Sequence, residues 1–150
     1  MRSIAALCAV SLLLATPIVF AAEETVIAAK TEHRGDVKLG HANLRVEDGA
    51  AVYGNIFIEE GDLFIGEEVD ISGSITIKKG NIFIKSVVDI ARNVTVERGN
   101  ITMKDRNKLH GDIICKNGVV KGGTNNIIDG DVHAQEFTIG RNSDVKGMIK

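Results

Sequence analysis

The sequence predicts an all-β fold: a single-stranded β-helix, or solenoid, of about six 19-residue triangular coils. Three observations predict it. Gly35, Gly54, Gly73, Gly111 and Gly130 lie on one 19-residue lattice that only Arg92 interrupts. A small polar residue and alternating aliphatics follow, as in Gly54-Asn55-Ile56-Phe57-Ile58 and Gly73-Ser74-Ile75-Thr76-Ile77. Two further aliphatic pairs then recur at fixed distances within each coil. Alternation puts residues i and i+2 on the same side of a strand. A fixed period of this length marks a solenoid whose turns stack.

Each coil resolves into three short strands. The first carries Val37/Leu39, Ile56/Ile58, Ile75/Ile77 and Val94/Val96. The second carries Leu44/Val46, Leu63/Ile65, Ile82/Ile84 and Ile101/Met103. The third carries Ala50/Val52, Val69/Ile71, Val88/Ile90 and Asn107/Leu109. Asn107 is the one polar residue in this set, so the pairs describe a packed interior. Gly61-Asp62, Gly80-Asn81 and Gly99-Asn100 precede the second strand. Glycine permits positive φ and Asn or Asp tolerates it, so these dipeptides turn a corner. Coils run from about 35 to 149, a rod roughly 30 Å long at ~4.8 Å per coil. In the last coil Ile128 maps onto Val145, two residues early.

The domain reading is a leader over 1–21, an N-terminal cap or linker over 22–34 and a β-helix domain over 35–150. The leader reads as a signal peptide: Arg2, an apolar run over 4–14, and a cleavage site at Val19, Phe20 and Ala21. The chain is therefore expected to be bacterial and periplasmic or secreted, with no transmembrane segment after cleavage. Cys8 precedes most of the apolar run, which argues against a lipoprotein anchor. Residues 25–29 are expected as an extra strand in the cap. The chain has 18 basic and 20 acidic residues, and loss of Arg2 with the leader makes the balance slightly more acidic. With no basic stripe, nucleic acid is not an expected partner.

Cys115 is the one cysteine beyond the leader and falls in the inward slot of Ile58, Ile77 and Val96. It is expected as a small buried hydrophobe rather than a reactive thiol. On a solenoid, residues one coil apart stack. Glu59, Lys78, Glu97 and Lys116 then form an outward column of alternating sign. Asn107 and Asn126 stack at an inward position and are expected to hydrogen-bond amide to amide along the axis. Phe64 and Phe83 stack outward on the second strand, and Phe57 points outward on the first. These three, with Met148 and Ile149 at an uncapped C-terminal edge, form the expected interaction surface.

No catalytic constellation emerges. Asp70 and Asp89 stack on the third strand, a carboxylate pair of the kind glycosidases use. The coils, however, keep one length and leave no loops to wall a cleft. His33, His41, His110 and His133 share no column and no metal-ligand spacing. A cation at Asp70/Asp89 stays open. No cofactor, metal or catalytic residue is expected.

The stretches Gly54-Asn55-Ile56-Phe57-Ile58, Gly73-Ser74-Ile75-Thr76-Ile77 and Gly111-Asp112-Ile113-Ile114 resemble the bactofilins, a polymer-forming bacterial cytoskeletal family. The resemblance covers about 35–149. It implies a right-handed triangular β-helix that polymerises end to end without nucleotide. The expected function is thus an exported, non-enzymatic scaffold that self-associates through the ends of the helix. The alternative is a cell-envelope module presenting a flat face to glycan or to a protein.

Overall fold

The computed structural model describes residues 23–150; the expected leader lies outside them. The described chain is all strand, turn and bend, a β-solenoid of about six parallel turns. Ile56, Ile75, Val94, Ile113 and Val132 follow one another in register, each 19 residues from the next.

Three faces build each turn. The first is made by Ile56–Glu60, Ile75–Lys79 and Val94–Arg98, and the second by Leu63–Ile65, Ile82–Ile84 and Ile101–Met103. Two longer strands, Val37–Val46 and Ile113–Gly122, run round the corner between these faces and join them into one sheet. The third face is a separate sheet that includes Ala51–Tyr53, Asp70–Ile71, Asp89–Ile90 and Lys108–Leu109. Every inward residue expected from the pairs is buried except Leu39, which is half-buried at the N-terminal end. Cys115 occupies its expected slot: it is buried, its Sγ lies 3.2 Å from the Gly99 carbonyl oxygen, and burial pushes its thiol pKa up.

Residues 23–34 are not a separate linker. Glu23–Ile27 pairs with Ala42 to Val46, and Glu32–Arg34 pairs with Ala51 to Tyr53, on the 19-residue lattice. They form two sides of a further turn, and the strand begins two residues ahead of the expected 25–29. The pattern is hidden because Thr25 and His33 stand in inward slots that later coils fill with aliphatics.

Corners obey two different rules. At the second-strand corner Gly61, Gly80 and Gly99 have φ of 155°, 151° and 147°. A Cβ on Gly80 would lie 1.9 Å from the Gly61 carbonyl oxygen, so the stacking itself excludes a side chain. The small polar residue after each corner glycine has a defined role. Its side-chain oxygen accepts the backbone N–H one coil on: Asn81 N–H to Asp62 Oδ1 at 2.8 Å, Asn100 N–H to Asn81 Oδ1 at 3.0 Å. Asp36, Asn55, Asn93 and Asp112 do the same at the first-strand corner. These bonds satisfy corner N–H groups that no ladder reaches.

The third corner uses no glycine rhythm. Lys30, Glu68, Val87, Arg106 and Asn125 all take φ between 55° and 62°, in one column with Gly49 at 75°. The left-handed conformation costs about 1–2 kcal/mol for a residue with a Cβ, and most for β-branched Val87.

Asn107 and Asn126 stack inward and are buried, but the expected amide-to-amide ladder does not form. Asn107 Oδ1 accepts the Val88 N–H at 2.8 Å, and Asn126 Oδ1 accepts the Asn107 N–H at 2.9 Å. Asn126 Nδ2 donates to the carbonyls of Lys104 and Gly123. The backbone at this corner is nearer than the neighbouring amide and takes the bonds; Asn107 Nδ2 is left without a partner.

Candidate functional site

The expected surface residues fall in three places. Phe64 and Phe83 stand side by side on the second face, ring centroids 5.2 Å apart and planes within 8°. The Arg45 guanidinium lies 5.1 Å from the Phe64 centroid and is itself held by Glu24 at 2.8 Å. The stack therefore reads Glu24, Arg45, Phe64, Phe83 along the axis. One face of Phe64 is covered by Arg45 and the other by Phe83, so what it offers solvent is its edge. Sugars stack on ring faces, and this arrangement leaves only the far face of Phe83, toward Thr102. Phe57 is half-buried on the first face under the Lys78 ammonium, 5.5 Å from its centroid. The structure does not bring Phe57 together with the other two rings.

Met148 and Ile149 lie at the other end, 59% and 57% exposed, the two most exposed large hydrophobic residues described. Ile149 bridges to Val132, and the Lys150 N–H reaches the Val132 carbonyl at 2.8 Å. Phe137, Ile139 and Val145, in the preceding stretch, pack half-buried against the core. An open groove of about 400 Å³ runs past Cys115, His133, Ala134 and Lys150 on the first face.

Charged columns pair only in part as expected. Lys78 reaches Glu59 at 3.7 Å. A neighbouring column is tighter. Glu60 touches Lys79 and His41, and the Lys79 ammonium first, then His41, holds its carboxyl below the usual range. Asp70 and Asp89 are in register, but Asp89 is turned to His110, 3.1 Å from Nε2. His110 Nδ1 is 3.0 Å from Asp129, and Lys146 sits 2.9 Å from the other Asp129 oxygen. The Lys146 contact is an ion pair outside hydrogen-bond angles. Lys146 is the main cause of the lowered Asp129 pKa, and Asp129 raises that of Lys146.

This chain of Asp89, His110, Asp129 and Lys146 was not visible as a column. Asp89 and His110 are 21 residues apart, a diagonal step, and Lys146 follows Asp129 by 17. A search for i, i+21 pairs would have found its first link. Its chemistry is that of a cross-coil clasp: both imidazole nitrogens are committed to carboxylates. Among the described residues no group of three His, Cys, Asp or Glu is arranged to hold a metal ion, and His33, His41, His110 and His133 stand in four different columns.

Compared with known proteins, the chain matches no family model, no curated protein and no solved structure. Among the described residues no helix is long and apolar enough to cross a membrane.

Proposed function

We propose that the chain is an exported, non-enzymatic scaffold that self-associates through the ends of its β-helix, in the manner the bactofilin resemblance implies. The observation that carries this reading is the pair Met148 and Ile149, each more than half exposed on the last described coil. A sheet edge offers unpaired N–H and C=O groups, and exposed apolar side chains beside it favour pairing with another strand. The body of the rod supports the same reading. Its coils keep one length up to the last, and its aromatic ladder leaves open only the far face of Phe83. Export rests on residues 1–21 as a leader.

Light scattering and electron microscopy test the proposal. The purified chain forms concentration-dependent oligomers or filaments, and Met148→Lys with Ile149→Lys abolishes end-to-end growth without unfolding it. A rod that stays monomeric at high concentration would overturn the proposal.

A further inference from the structure

The third corner, where φ is positive, also carries an uneven charge distribution along the rod. In the two coils before that of Val87 it presents Glu47, Asp48, Glu67, Glu68 and Asp70. In the next coils it presents Lys85, Lys104, Arg106 and Lys108. Val87 lies between these halves, 43% exposed, its side chain projecting from a strained backbone at the apex of the corner. Among the described residues Glu67, Glu68, Asp70, Lys104, Arg106 and Lys108 have no ion-pair partner within 4.0 Å. The exceptions on this edge are already engaged. Asp105 accepts the Thr124 N–H at 2.7 Å, Asp89 faces His110, and Lys85 leans to Asp48 at 3.9 Å.

We propose that two copies of this chain pair side by side and antiparallel along this corner, about a two-fold axis that crosses the rods at Val87. Such an axis sets each column against itself and sends the coil before Val87 to the coil after it. Glu68 then meets Arg106 of the second copy, one coil to either side of the axis, and Asp70 meets Lys108. Each contact occurs twice, as an isologous interface requires. Val87 meets its own equivalent at the centre. A parallel arrangement would oppose Glu68 to Glu68 and Arg106 to Arg106, whereas the antiparallel one opposes like charges only at the already engaged Lys85, Asp89 and Asp105, so the charge order favours the antiparallel one. The strip is narrow, and the pairing is accordingly weak and sensitive to salt. It is distinct from the end contacts and does not need them.

Charge reversal tests the pairing. The column itself shows that either sign fits its backbone, since Lys30 and Glu68 share it with Arg106. Glu68→Lys and Arg106→Glu should each fold, and each should raise the dimer Kd by about 100-fold by sedimentation at low salt. The double variant restores Lys to Glu across the axis and recovers the dimer. Val87→Cys, with Cys115→Ala, should give a disulfide-linked dimer under mild oxidation. Met148→Lys with Ile149→Lys should leave this dimer intact, which separates it from end association. A chain that shows no dimer at low salt, or a dimer indifferent to ~0.5 M salt and to both single reversals, would overturn the pairing. So would a double variant as weak as the singles.

Discussion

The central coils and the last coil are built from the same strands but closed differently. Between 54 and 110 every paired residue meets its neighbour 19 positions away, and the inward slots are 0–2% exposed. In the last coil Cys115 still pairs with Ala134, but Val119 pairs with Glu136, 17 residues on. The missing two residues fall at the second-strand corner. Gly61, Gly80, Gly99 and Gly118 have no counterpart there, and Gln135 and Glu136 cut across instead. Pairing resumes two residues early, so that Ile128 faces Val145. The lesson is that a coil can shed residues at a corner and keep its face registers. What it loses is closure, and Phe137, Ile139 and Val145 are only half-buried.

The largest expected effect breaks a corner that the last coil lacks. Gly80→Ala puts a Cβ against the Gly61 carbonyl at a φ of 151° and should cost at least about 3 kcal/mol in chemical denaturation. Gly40→Ala, with nothing within 4 Å of the new Cβ, should stay within about 0.5 kcal/mol of the parent. Equal losses would mean that the coils are not in backbone contact at that corner. Next comes the core itself. Ile77→Ala should cost about 2–5 kcal/mol, and Ile139→Ala in the loose coil about 1 kcal/mol or less. A reversed order would remove the contrast between the two regions.

A smaller effect sharpens the third corner. Val87→Asn places at φ 62° a residue type that Asn125 and Asn142 already supply in the same conformation. It should stabilise the monomer by about 1 kcal/mol, read as a higher Tm. The smallest effect joins the two regions, since Asp129 and Lys146 tie the last coil to its predecessor. The folded Asp129 pKa is lowered, so its contribution is present above the unfolded pKa and lost as pH falls through the folded one. Tm should therefore drop more steeply below about pH 4 in the parent than in Asp129→Asn.

Much of this was legible because the inward slots are chemically uniform. The Ile56, Ile75 and Val94 column, the Cys115 slot and the Ile128–Val145 drift follow from period and alternation alone. The third corner was not, because no residue type signals it. Lys30, Glu68, Val87 and Arg106 adopt positive φ under geometric compulsion, not by preference. Asn107 and Asn126 were rightly placed inward but wrongly partnered, since a column shows which side chains are neighbours and not which backbone groups lie closer. The aromatic ladder was legible as a stack; that its ring faces are consumed depends on side-chain rotation, which the sequence does not encode.

Everything rests on turns that are interchangeable in units of one repeat. Deleting 73–91, a whole coil, should leave a shorter rod with β circular dichroism and a cooperative melt. Deleting 73–90, one residue fewer, leaves Ala91 as an extra residue at the first-strand corner, where the coil must bulge to keep its register, and should melt well below the whole-coil deletion. If both deletions melt alike, whether folded or unfolded, the stacked-coil account is contradicted.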